Sequence, residues 1–320
     1  MRQGLAALPP DCRFVLIHDA ARPCLDAASL DRVLIVECSP HYPRTFGLDP
    51  HHHRLHLDEI DVLIESDRAP VDLADPIATD VDLAIAAIAT ELIPDEATLQ
   101  TGIGAVPSLI ATALAEGPGG GYGIHSEMFT TGLMRLHQSG KVTNTNKGEL
   151  DGHSITTFAA GSAELYRWLD GNDDVRFLPV DVVNDTRIIA ENRDFVSING
   201  ATAVDLWGQI AADTIAGRQH SGTGGHEDFL AGAGLQVDDR SLLCLHSSAI
   251  VDGVRVSRIR ANVGPDMVVT TPRHQVDVVV TEYGAVELSG MTVRERAHAM
   301  VTIAHPDFRD ELAATAATMG

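Results

Sequence analysis

Basic residues are scarce: 23 Lys and Arg stand against 45 Asp and Glu, for a formal net charge of −22. Such a balance opposes nonspecific binding to nucleic acid or to an anionic membrane. An anionic ligand then requires a locally basic or backbone-lined pocket. The 4 cysteines, Cys12, Cys24, Cys38 and Cys244, form no CxxC pair. Reduced thiols in a cytoplasmic compartment are the expectation. No apolar run reaches the ~18 residues needed to span a bilayer, and the first residues lack a basic-then-apolar signal pattern. No tandem repeat is visible.

What remains is a 320-residue chain with 44% hydrophobic residues, enough for a buried core and for two domains. Short β-branched runs, "RFVLIHDA", "RVLIVEC" and "IDVLIES", read as buried strands. "DVDLAIAAIATELI" has apolar residues at helical spacing. "ATLQTGIG" reads as a strand entering a glycine turn, and "AVPSLIATALAE" as a helix with Pro107 near its start. "EMFTTGLMRLHQSG" and "SAELYRWLDGN" read as helices ending at Gly140 and Gly171. Later, "FVSINGATAVDLWGQI", "SLLCLHSSAIVDG" and "QVDVVVTEYG" are strand-rich, and "VRERAHAMVTIA" is helical. The alternation predicts an α/β fold with mostly parallel sheets. A shift in composition near residues 180–190 predicts the boundary between two α/β domains.

Three stretches could carry chemistry. Glycine turns after strands bring backbone N–H groups close to an anion or a developing oxyanion. "TGIGAVP" and "SGTGGHEDF" supply one such turn in each half. "VVVTEYG" ends a buried run at Glu282, where α/β proteins bind ligands. Four histidines, His51, His52, His53 and His56, crowd one segment, but adjacent side chains diverge, so a solvated loop is expected and no metal site. His125 is a candidate cleft residue and His137 a helix-surface one. Lys147, Arg218, Arg258, Arg260 and Arg273 could surround an anion, although most such side chains are merely solvated.

Taken in order, "TLQTGIGAVPSLI", "GIHSEMFTTGLMRL", "GKVTNTNKGELDG", "LPVDVVNDTRIIAENRDFVSING", "VDLWGQIAADTIAGRQHSGTGGHEDFLAGA", "TTPRHQVDVVVTEYGAVEL" and "IAHPDFRDEL" resemble the acetyl-CoA hydrolase/transferase family. That family includes 4-hydroxybutyrate and succinyl-CoA:acetate CoA-transferases. The resemblance runs from about Val33 to the C-terminus. It implies two α/β domains of related fold, 33–185 and 186–320, with the first incomplete and CoA in the cleft between them. It implies ping-pong acyl transfer without a tightly bound cofactor. A glutamate carboxylate attacks the thioester to give a mixed anhydride. The CoA thiolate then attacks the enzyme's side, forming a glutamyl-CoA thioester.

In the family that glutamate lies in a pattern like "SINSAIEVDLTGQV". Aligned on Asn199 and Val204-Asp205-Leu206, its column falls on Ala203. A methyl group cannot form an anhydride, so activity is expected to be impaired. A noncatalytic CoA- or partner-binding protein is the alternative. Asp205 lies two residues along the strand, about 6–7 Å away, too far to substitute. By resemblance, Gly284 offers its N–H to the oxyanion, Glu282 matches the family pattern, and Gly102, Gly104, Gly222, Gly224 and Gly225 line the CoA cleft. Glu227 is another acid near the cleft. Acyl-CoA and a short-chain carboxylate are the implied partners, and a homodimer the implied assembly.

The first 32 residues depart from this pattern. "VLIHDAARP" resembles a strand and loop of 2-C-methyl-D-erythritol 4-phosphate cytidylyltransferases, with Asp19 and Arg22 matching positions near nucleotide and metal. The glycine-rich nucleotide loop of that family is absent. Residues 1–32 therefore read as a joined fragment, not as a second activity.

Overall fold

A computed structural model describes residues 34–51, 55–74 and 76–319, and a short strand at Phe14–Val15. The first half runs β1 (Phe14–Val15), β2 (Ile35–Cys38), β3 (Val62–Glu65), α1 (Asp80–Thr90), β4 (Thr98–Thr101), α2 (Ala105–Glu116), β5 (Gly123–Phe129), α3 (Thr131–Gln138), β6 (Ser154–Ala159), α4 (Ala163–Leu169), β7 (Val175–Phe177) and α5 (Val180–Val183). The second half continues with α6 (Thr186–Glu191), β8 (Phe195–Gly200), β9 (Ala203–Asp205), β10 (Ile210–Ala211), β11 (Thr214–Ile215), β12 (Arg218–Gln219) and α7 (His226–Ala233). It closes with β13 (Arg240–Cys244), β14 (Ser248–Val251), β15 (Val254–Ser257), β16 (Ile259–Arg260), β17 (Val278–Thr281), β18 (Gly284–Glu287), α8 (Val293–Thr302) and α9 (Pro306–Ala316).

One eight-stranded sheet, in the order β18-β17-β13-β8-β4-β5-β6-β7, forms the centre. Its pairings are parallel except for the β17–β18 hairpin at one edge. Both faces are covered, which is why these strands read as continuous apolar runs rather than as alternating ones. Leu242, Cys244, Val278 and Val280 point to a core shared with α1 and α2. Leu243 and Val279, one residue out of phase, point to a second core with α7, α8 and α9. Beyond β5, α3 and α4 cover Ile124, Phe129 and Val175.

The expected boundary at 185/186 falls in the connection between α5 and α6, and the sheet passes across it unbroken. What changes there is direction. From β4 the chain steps outward through β5, β6 and β7. It then returns to place β8 on the other side of β4 and steps away through β13 and β17. β4 and β8 therefore straddle the point at which strand order reverses, the place where open α/β sheets leave a crevice at the carboxyl ends of their strands.

Three expectations need correction. Glu127–Phe129 was expected to open a helix, but it finishes β5, and α3 begins only at Thr131 with Thr130 as its cap. The strand could extend because β6 pairs with it through Phe129↔Ala159. In "SGTGGHEDF" only Ser221 to Gly225 is loop, since α7 starts at His226. Cys38 is disulfide-bonded, with its partner outside the described residues, whereas Cys244 is free and buried. Sequence spacing does not see that β1 runs beside β2 with Phe14 opposite Cys38. Asp19 and Arg22 lie outside the described residues. Among the described residues no helix is long and apolar enough to cross a membrane.

Two histidines are buried neutral within this frame. His125 is fully enclosed with Nε2 2.7 Å from the Val183 carbonyl oxygen, and burial, helped by the Lys147 charge, pushes its pKa down to about 3. His137 packs between Phe129 and Trp168 and is pushed down to about 4 by burial. The unfolded chain takes up these protons first as pH falls below the ordinary 6.5. Stability contributed by the neutral rings is thus complete above that pH and declines on acidification towards pH 4. Thermal melts should show the midpoint falling over that range, with a shallower slope in His137→Phe; parallel slopes would contradict the assignment.

Candidate functional site

The crevice between β4 and β8 is built from backbone and from one buried amide cluster. Asn199 Nδ2 donates to Gln100 Oε1 at 3.0 Å, and Gln100 Nε2 donates back to Asn199 Oδ1 at 3.2 Å. Ser197 Oγ joins the pair, donating to Gln100 Oε1 at 2.7 Å and accepting from Asn199 Nδ2 at 2.8 Å. All three side chains are buried, so every group must find its partner locally. Directly above, Gly102 N donates to Ile198 O at 2.9 Å, and a Cβ on Gly102 would sit 3.4 Å from Asn199 Oδ1. The "TGIG" and "SING" turns, separate in sequence, are thus one structure.

Gly104 is the N-cap of α2, with no side-chain cap. Beside it a cleft of about 150 Å³ opens at the carboxyl ends of β4, β5 and β6, lined by Gly102, Gly104, Thr130 and Gly161 among others. The other glycine loop reaches the same end of the sheet. Gly225 N donates to Glu127 Oε2 at 3.0 Å, joining the second half of the chain to the end of β5. A Cβ there would lie 2.5 Å from Glu127 Oε2 and 2.6 Å from Asn184 Nδ2, so those side chains would have to move to admit one. Gly222 and Gly224 are exposed beyond it.

Ala203 begins β9, buried at 1% exposure, with Ala211 opposite it. Its strand is tied to the loop after β13 by a short relay. Val204 N donates to Arg258 O at 2.9 Å, and Arg258 N donates to Ser247 O at 2.9 Å. Ser247 in turn holds Glu282, with its N–H at 2.9 Å from Oε2 and its hydroxyl at 2.6 Å from Oε1. Glu282 is therefore committed to the loop after β13. Gly284 follows the Glu282–Tyr283 turn, opposite Thr281, with φ +140°, a conformation that L side chains rarely adopt.

The neighbouring acids are also placed. Asp205 is fully buried and accepts four hydrogen bonds, from Trp207 N, Gln209 N, Gln209 Nε2 and Val263 N, at 2.8–3.1 Å. It fixes the β9–β10 turn and is not available as a nucleophile. Glu227, in the first turn of α7, is held above the usual carboxylate range by burial. Its Oε2 has no hydrogen-bond partner among the described residues.

Of the candidate cations, Arg260 pairs with Asp266 at 3.1 Å, and Arg273 lies over the Trp207 ring. Lys147 is fully buried at the opposite end of the sheet, its Nζ donating to the Leu150 and His153 carbonyls. These three do not converge on one anion, while burial holds the Arg258 guanidinium below the usual arginine range. His56 caps the turn at Leu57–Glu59, while His52 and His53 lie outside the described residues. Among the described residues no three His, Cys, Asp or Glu side chains are grouped to hold a metal.

A doubly wound α/β protein with its crevice at the strand-order reversal is the class that fold and site define. The chain belongs to the acetyl-CoA hydrolase/transferase family. The family model for the acetyl-CoA hydrolase/transferase C-terminal domain matches residues 161–316. A 4-hydroxybutyrate coenzyme A transferase of Clostridium kluyveri is 38% identical over 301 residues, 94% of this chain and 68% of the relative. RipA from Yersinia pestis superposes with a TM-score of 0.82 at 38% identity, covering 89% of this chain and 63% of that one. A 4-hydroxybutyrate CoA-transferase structure from Porphyromonas gingivalis gives 0.75 at 34% identity, covering 88% and 65%. The chain thus spans about two thirds of the length of these relatives.

The Gln100–Asn199–Ser197 cluster was missed by sequence reasoning. Asn199 served only as an alignment anchor, and its partner lies 99 residues away. Gln100→Leu should strip partners from two buried groups and cost about 1–3 kcal/mol for each group left unpaired. Urea unfolding measures this; an unchanged midpoint would refute the cluster's role.

Proposed function

We propose that this chain binds a CoA thioester across the β4/β8 crevice. The glycine turn at Gly102 and Gly104 meets the ligand from the first half of the chain, residues 33–185. The loop at Gly222, Gly224 and Gly225 meets it from the second, residues 186–320. The observation that carries the reading is the contact of the "TGIG" and "SING" turns at the strand-order reversal, where Gly102 N is bonded to Ile198 O. Backbone N–H groups suit such a site because the chain carries a net charge of −22 and Arg260, Arg273 and Lys147 are engaged elsewhere. No tightly bound cofactor enters the scheme, and CoA is a substrate.

The reaction class by family is movement of CoA between a short-chain acyl-CoA and a carboxylate. The relatives' names include butyryl-CoA:acetate and succinyl-CoA:cyclohexane-1-carboxylate transferases, and an acetyl-CoA hydrolase. In this scheme Gly284 lends its N–H to the oxyanion, and Glu282 holds the adjacent loop in place. The covalent route requires a carboxylate in the Ala203 column, and Ala203 has only a methyl group. Loss of a covalent nucleophile costs on the order of 10⁶ in kcat in other enzymes. The same methyl favours a second reading, a noncatalytic CoA- or partner-binding protein. A cytoplasmic homodimer is the proposed setting.

Borohydride trapping in the presence of acetyl-CoA tests the covalent route. The chain as it stands should give no reducible enzyme thioester and no exchange of label between acetate and acetyl-CoA. Ala203→Glu should introduce both. Label exchange by the unaltered chain, with no gain in Ala203→Glu, would show that the nucleophile lies elsewhere.

A further inference from the structure

A second cavity of about 340 Å³ lies at the carboxyl ends of β13 and β17, and its wall includes His246, paired with Asp82 behind it, a pair that the scheme above does not use. His246 follows β13, and Asp82 comes from the first turn of α1. His246 Nε2 is 2.7 Å from Asp82 Oδ1. The other carboxylate oxygen of Asp82 accepts from Thr79 N at 2.9 Å and from Thr79 Oγ1 at 2.6 Å, closing the capping box of α1. Asp82 is thereby locked in place, and the bonds from Thr79 and His246 outweigh burial to hold it below the ordinary carboxylate range. An ionised Asp82 is an acceptor only, so Nε2 carries a proton towards it and Nδ1 is the ring nitrogen left for another partner. Nδ1 makes no hydrogen bond among the described residues, and the imidazole lines the cavity beside Tyr283 and Glu282.

Charge elsewhere in the cavity is largely spoken for. Glu282 is engaged by Ser247, while Arg255 and His305 face Asp307 at 3.7 and 3.5 Å. His246 is the cavity-lining imidazole whose ring is oriented by a carboxylate of another element. It also precedes Ser247, whose carbonyl begins the relay through Arg258 to the strand of Ala203.

We infer that His246, oriented by Asp82, activates water for direct hydrolysis of a thioester, a route that needs no glutamate at residue 203. The inference rests on the CoA-thioester reading. Water oxygen attacks the acyl carbon while His246 Nδ1 takes a water proton and the carbonyl π pair moves onto oxygen. When the carbonyl reforms, the C–S bond breaks. The departing thiolate takes the proton from Nδ1, leaving a carboxylic acid and free CoA. His246 is then the general base and acid, and Asp82 a positioning residue.

Acetyl-CoA hydrolysis by the full chain, alongside His246→Gln and Asp82→Asn, tests this, with thermal melts to confirm that each variant is folded. His246→Gln should lower kcat by about 10²–10⁴-fold, the range for general-base catalysis. Asp82→Asn should lower kcat with KM unchanged; because Asp82 also caps α1, His246→Gln decides if that variant unfolds. Equal turnover by the unaltered chain and His246→Gln overturns the inference. So does acetyl-CoA that binds in titration calorimetry but is not hydrolysed, which leaves the CoA reading intact. If acetyl-CoA does not bind, that reading fails. Turnover of p-nitrophenyl acetate then decides the pair: loss in His246→Gln upholds it, and equal rates reject it.

Discussion

The parallel pairing of β4 with β8 is the constraint on which the rest depends. These two short strands join the halves of the sheet, with Gln100 beside Ser197 and Thr101 beside Ile198. Because the chain leaves them in opposite directions, no crossover helix covers the space above their carboxyl ends. The buried Gln100–Asn199–Ser197 cluster fixes their register. A one-residue slip would turn these polar groups into the apolar core that Leu99, Val196 and Ile198 now fill.

That seam explains how distant stretches meet. Gly102 belongs to the first half and Asn199 to the second, yet their turns touch because their strands are neighbours. Gly225 reaches the same end of the sheet by bonding Glu127. Ala203, Arg258, Ser247 and Glu282 continue the line towards β17 through main-chain and carboxylate hydrogen bonds. Gly102, Gly225 and Gly284 thus lie at the carboxyl ends of β4, β5 and β17, while Ala203 stands on a strand of a separate three-stranded sheet tied to them by hydrogen bonds. Nearby, Asp205 and Glu282 serve the loops, and His246, paired with Asp82, lines a cavity.

Much of this was legible in the sequence. The strands at Ile35–Cys38, Val62–Glu65 and Val278–Thr281, and the helices Asp80–Thr90, Ala105–Glu116 and Val293–Thr302, follow from period and from short apolar runs. Val278–Thr281, buried at every residue, announces itself in this way, whereas Val62–Glu65 is a mostly exposed strand and not the buried one its apolar run suggests. Glu127–Phe129 did not, because three residues next to a helical pattern take their identity from pairing with β6. The glycine turns were visible as turns, but their contact was not. The Asp82–His246 pair spans 164 residues, and nothing local marks either partner. The disulfide at Cys38 escaped because no CxxC spacing marks it.

A crystal structure of the chain with bound CoA tests the central claim most directly. The account places the pantetheine arm over the turns at Gly102–Gly104 and Gly222–Gly225, with the thiol end directed towards Ala203 and Ser247. CoA at the opposite end of the sheet, near Lys147, or a pantetheine arm that avoids the β4/β8 seam, would contradict it.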